Sequence, residues 1–142
     1  MIRYVKADLF TLPATVQVNT VNCVGVMGAG VAKQFRFRYP HNYEIYQRAC
    51  KHHILKPGRI IRVRESDLAI EIWNAATKDH WRDPSKLSWV HDIIDTMAFS
   101  LHPDDVVVMP RLGCGLGGLH WPTVRDLIET YLSDYDVTVA SL

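Results

Sequence analysis

Cysteine is scarce in this sequence and carries no pattern. Cys23, Cys50 and Cys114 are odd in number and show no CxxC spacing. That argues against a disulfide framework or a cysteine-held zinc site, and for reduced thiols in a cytoplasm. Long hydrophobic runs are also missing. No apolar stretch approaches the ~20 residues of a membrane span, so no membrane partner is expected. The opening MIRYVKADLF does not read as a signal peptide. The histidines at 52–53, 80, 91, 102 and 120 lack the spacing that sets two on one helix face beside an acid. No metal and no cofactor are therefore expected. There is no repeat, low-complexity tract or linker. The 142 residues, 48% hydrophobic and 22% charged, fit a single domain over 1–142 with a real core. The hydrophobic pattern requires no partner, so the expectation is a monomer.

Charge of one sign is missing overall but not locally. The net charge is +1, yet Lys33–Arg64 holds nine Lys/Arg and one acid, Glu44. The remainder of the chain holds seven Lys/Arg and fourteen acids. Such polarity suits an anionic partner, a nucleic acid included. A solvated helix face explains the same charge run.

Strand signals fall at 2–7, 15–21, 59–63, 69–75, 106–110 and 137–142. Helical periodicity links Leu87, Val90, Ile94, Met97 and Leu101, and again Val124, Leu127, Ile128, Tyr131 and Leu132. Two further helices are expected at 29–38 and 41–51, divided by Pro40. Strands interleaved with helices imply an α/β sandwich around a central sheet. The run VVVMP, apolar without alternation, reads as a buried central strand.

Seven of the eight glycines fall in two clusters: Gly25, Gly28 and Gly30, then Gly113, Gly115, Gly117 and Gly118. Each follows an expected strand and precedes an expected helix, the position at which open α/β sheets bind ligands. Glycine lets backbone N–H groups approach a ligand, and a helix N-terminus favours phosphate. The first cluster is ordered GxxGxG, so it is neither the GxGxxG dinucleotide fingerprint nor a P-loop. One cluster alone would read as a tight turn; two at equivalent strand ends point to a ligand.

The stretches VNTVNCVGVMGAGVAKQFRFRYP, YQRACKHHILKPGRI, NAATKDHWR and MPRLGCGLGGLHW together resemble a macrodomain. The likeness covers nearly the whole chain. TKxHW and GCGLGGLxW are similar to the DarG-like branch, DNA ADP-ribosyl glycohydrolases. The next similarity is to terminal ADP-ribose protein glycohydrolase. The resemblance implies a three-layer α/β/α fold with a mixed sheet of about six strands, and ADP-ribose as ligand. It implies that Gly28, Gly30 and Val31 hold the diphosphate and distal ribose from one side. Leu112, Gly113, Cys114, Gly115, Leu116, Gly117 and Gly118 would hold them from the other. Asp8, beside Leu9, matches an acid that accepts from the adenine amino group. Asn22 matches an asparagine on the distal ribose, and Thr77 joins the lining. Outside the resemblance, a lone acid there is a solvated turn residue and an Asn at a strand end is a backbone cap.

Lys78, in the same motif, matches the catalytic lysine of these glycohydrolases. A lysine amine can attack an opened ribose at its anomeric carbon, forming a Schiff base, or can move protons. Without the resemblance it would read as a surface lysine. The human relative carries a catalytic aspartate where this chain has Gly117, which tells against hydrolysis of protein esters. Asp79, His80 and His120 are left as candidates to activate water. His80 and Trp81 are possible substrate contacts. Tyr39, His80 or Trp81 could stack a base of single-stranded DNA, while Lys33, Arg36, Arg38, Arg48 and Lys51 would meet phosphates. Cys23 and Cys114 read as small buried packing residues. Three activities stay open. One is removal of ADP-ribose from a base, thymidine in single-stranded DNA first. The others are hydrolysis of ADP-ribose 1″-phosphate or protein esters, and binding without chemistry. The first would serve an antitoxin or a phage counter-defence protein.

Overall fold

The computed structural model describes residues 1–65 and 69–142. Its strands are β1 (Ile2–Lys6), β2 (Val16–Val21), β3 (Ile60–Glu65), β4 (Ile70–Ala76), β5 (Val106–Met109) and β6 (Asp136–Ser141). Its α-helices are α1 (Gly30–Arg38), α2 (Pro40–Lys51), α3 (Leu87–Ser100) and α4 (Trp121–Leu132). A short 3-10 turn, Leu9–Thr11, follows β1. All six strands and four helices expected from the sequence are present, with ends shifted by a residue or two. Pro40 divides α1 from α2 by opening α2, where its missing N–H costs nothing.

The sheet order is β1-β6-β5-β2-β4-β3. Every neighbouring pair is parallel except β3 and β4, so the sheet is mixed. VVVM is central, between β6 and β2. Strand alternation divides the core between two faces. Val16, Val18, Trp73, Val107 and Val137 meet α3 and α4, which contribute Val90, Ile94, Val124 and Ile128. Ile72, Ala76 and Val108 meet the other layer, with Phe35, Tyr46 and Ala49 from α1 and α2.

The α1/α2 face of β2 is polar and buried. Asn19 and Asn74 are register partners on β2 and β4. The Asn19 amide donates to Asn74 Oδ1 at 3.1 Å, and Asn42 and Asn74 exchange two bonds of 3.1 and 2.7 Å. Tyr39, expected as a stacking surface, lies inside this layer at 8% exposure. Its hydroxyl donates to Gln17 Oε1 at 3.0 Å, so no base can stack on it.

Candidate active site

Because β1, β2, β4, β5 and β6 are parallel, their carboxyl ends share one edge of the sheet. A cleft of about 1100 Å³ opens there, where α/β sheets place their ligands. Three loops wall it: 22–29 after β2, 77–86 after β4, and 110–120 after β5.

The first loop is braced by Asn22, which is 7% exposed. Its Nδ2 donates to Val26 O at 2.8 Å, and its Oδ1 accepts from Val24 N at 3.1 Å. The Tyr46 hydroxyl lies 2.8 Å from both Asn22 oxygens. Asn22 thus caps its own backbone while also lining the cleft. The loop ends at the N-terminus of α1, whose first turn carries no acid. That terminus offers N–H groups and positive potential to an anion.

In the loop after β5, Gly113 has φ +70°, and its carbonyl accepts from Leu119 N at 3.0 Å. Gly117 is a glycine for want of space. A Cβ there would overlap Ser85 Oγ and the Gly113 carbonyl oxygen. An aspartate at 117 would have to displace backbone.

The middle loop connects the other two. Thr77 N donates to Val21 O at 3.1 Å, Cys23 N to Asp79 O at 3.0 Å, and Ser85 N to Gly117 O at 3.0 Å. These bonds leave Lys78 half-buried in the wall of the cleft, its Nζ donating to Trp81 O at 3.2 Å. Trp81 is 54% exposed and Leu116 77% exposed, and both line the cleft.

The cleft gathers Asp8, Leu9, Asn22, Gly28, Gly30, Val31, Thr77, Lys78, Trp81, Gly113, Cys114, Gly115, Leu116 and Gly117. It does not gather Leu112, Gly118 or His80. Leu112 is fully buried in the core on the α3/α4 face, so its side chain cannot meet a ligand. Gly118 is turned away beyond the Gly115 turn, with its N–H donating to Gly115 O at 3.1 Å. His80 folds against its own loop, accepting from Arg82 N at 3.2 Å. Asp79 and His120 likewise lie outside the lining. Asp8 lines the cleft from an exposed position and caps the 3-10 turn, its Oδ1 accepting from Phe10 N at 3.0 Å.

The cysteines are free but not all buried. Cys23 and Cys114 are half-buried rather than packed away. Desolvation, then the neighbouring Cys50 and Asp79, push the Cys23 thiol up to about 12. Burial raises the Cys50 and Cys114 thiols as well. None offers a thiolate near neutral pH. Sequence reasoning named Lys33 only as a phosphate contact and missed Ser85, Arg111 and Trp121 as lining residues. Arg111 lies over the Trp121 ring at 4.8 Å, a pair hidden by nine intervening residues.

The sequence matches the Macro domain family over residues 18–128. The chain belongs to that family. A Thermus aquaticus protein named DNA ADP-ribosyl glycohydrolase is 40% identical to this macrodomain over 136 residues. The match covers 93% of this chain and 38% of that protein. The macrodomain thus spans about two fifths of the length of such curated relatives. Its fold matches the solved macrodomain of Thermus aquaticus DarG with a TM-score of 0.92 at 36% identity. That match covers 100% of this chain and 99% of the solved one. A Thermosipho africanus DarTG structure in complex with ADP-ribose superposes with a TM-score of 0.90 at 26% identity, over 98% of this chain and 41% of that one.

Proposed function

We propose that this macrodomain binds ADP-ribose in the cleft and removes it from a modified nucleobase, thymidine in single-stranded DNA. The observation that carries the reading is Lys78, set in the wall of the same cleft as both glycine loops. The identity to a DNA ADP-ribosyl glycohydrolase supports it.

The reaction breaks the bond between the anomeric carbon and the base nitrogen. Water supplies a hydroxyl to the carbon and a proton to the base. Lys78 acts at the anomeric carbon of the ring-opened sugar: its amine adds there, the base leaves carrying a proton, and a Schiff base forms, which water hydrolyses to free the lysine and ADP-ribose. The first glycine loop and the α1 N-terminus hold the diphosphate, Asp8 the adenine, and Asn22, Thr77 and Gly113–Gly117 the distal ribose. Trp81 and Leu116 flank the departing base, which favours a DNA adduct over a protein ester, and Gly117 leaves no carboxylate for ester chemistry. Lys33 lines the cleft mouth, and the basic α1 and α2 continue from it toward a DNA strand. Such an activity belongs in a bacterial or infected cytoplasm, reversing a DNA-modifying toxin as antitoxin or as phage counter-defence, by a monomer.

The test is turnover of three substrates by one preparation: a thymidine-ADP-ribosylated single-stranded oligonucleotide, ADP-ribose 1″-phosphate, and a glutamate-linked ADP-ribosyl peptide. Turnover of the oligonucleotide by at least tenfold over the other two is expected. Preference for either of the others overturns the reading.

A further inference from the structure

A buried hydroxyl without a partner destabilises a fold, so its presence calls for a reason, such as a partner in the bound state. Ser85 carries one. The residue is 6% exposed, and its Oγ has no hydrogen-bond partner among the described residues. It is not remote from the chemistry, since Ser85 lines the cleft with Lys78, Trp81 and Gly117. Its backbone N–H donates to Gly117 O at 3.0 Å, and its hydroxyl occupies the space a side chain at 117 would need. Lys78 has its own tether at the Trp81 carbonyl, so the Ser85 hydroxyl is not needed to hold the lysine.

We propose that the Ser85 hydroxyl is a substrate-positioning group, kept unpaired for the bound state. It donates a hydrogen bond to an oxygen at the linkage end of the substrate, beside Lys78, when the Gly113–Gly118 turn yields to the ligand. Gly117 has no side chain to bar that approach. A Cβ at Gly115 or Gly118 would meet nothing within 4 Å, so these two positions of the turn face open space. A serine hydroxyl is neutral at physiological pH and cannot serve as the base. It orients an acceptor. The inference rests on the glycohydrolase reading above, because it needs a substrate that extends past free ADP-ribose at the lysine end.

The experiment compares Lys78→Ala with Lys78→Ala/Ser85→Ala, so that the modified oligonucleotide stays intact while bound. The second chain is expected to bind the modified oligonucleotide about tenfold more weakly, the worth of one hydrogen bond. Free ADP-ribose should bind both equally. The melting temperature should hold or rise, because the substitution removes an orphaned buried group. In the lysine-bearing chain, Ser85→Ala should lower turnover of the oligonucleotide by a similar factor. Ser85→Cys, close in size but a poor donor, should reproduce the loss if alanine perturbs packing. Equal binding of the modified oligonucleotide by the two lysine-less chains overturns the proposal. So does a fall in melting temperature with parallel losses for both ligands. The glycohydrolase reading is scored separately: it fails if the unsubstituted protein leaves the oligonucleotide modified.

Discussion

Ser85 and Gly117 exclude one another's side chains. The serine hydroxyl and the Gly113 carbonyl fill the space that a Cβ at 117 would enter, while Ser85 N–H holds the Gly117 carbonyl at 3.0 Å. Gly117→Ala should therefore cost about 1–3 kcal/mol by overpacking, read as a lower urea midpoint with an unchanged slope. Gly117→Asp should cost more, and should not confer turnover of a glutamate-linked peptide. Gain of that activity without loss of stability would mean that the space at 117 is not closed as described.

Asn22 sustains the first glycine loop through its own amide. Asn22→Ala leaves the Val26 carbonyl and the Val24 N–H without these partners, while the Tyr46 hydroxyl keeps the Asn22 backbone carbonyl. The cost should be about 2–3 kcal/mol, more than one ordinary hydrogen bond. ADP-ribose affinity should fall with it, because the loop that holds the diphosphate loses its shape. Full stability with weak binding would assign Asn22 to the ligand alone.

Most of the fold was legible in the sequence for a simple reason. β-branched runs and 3.6-residue periodicity are local signals, and here they agree with the burial the sheet imposes. The polar layer was not legible. Asn19 and Asn74 are 55 residues apart, and only the β2–β4 register brings their amides together. Leu112 reads as part of a glycine loop, yet burial against α3 and α4 takes its side chain into the core. His80 and Trp81 are adjacent in sequence, yet only Trp81 lines the cleft. Ser85 gave no signal at all, because its isolation is made by two loops meeting.

The thiols give a pH prediction. Each has a native pKa above its ordinary value, so each stabilises the fold fully below about pH 9. That contribution is lost as pH rises above 9, where unfolded thiols ionise and folded ones do not. Urea midpoints should decline from pH 9 toward 11, and Cys23→Ser should flatten the decline. Alkylation of the native protein at pH 7.5 should be slow at all three cysteines and leave ADP-ribose binding intact. Rapid labelling of Cys23 at that pH would contradict the assignment.

Lys33, Arg36, Arg38, Arg48 and Lys51 lie on the exposed side of α1 and α2. If this side meets DNA phosphates, affinity for a modified oligonucleotide should fall steeply between 50 and 200 mM salt, about tenfold or more. Affinity for free ADP-ribose should change far less. Lys33→Ala/Arg36→Ala should shallow the first dependence and leave the second alone. Parallel salt slopes for both ligands would remove this face from DNA binding.

The central claim is that Lys78 breaks the bond between ADP-ribose and a DNA base in the cleft between the glycine loops. Its most direct test is the mass of a thymidine-ADP-ribosylated single-stranded oligonucleotide after incubation with the protein or its Lys78→Ala variant. ADP-ribose binding by each is measured alongside by calorimetry. Loss of the modification is expected with the unsubstituted protein only, and binding of ADP-ribose by both. Removal by the Lys78→Ala variant at a comparable rate would contradict it.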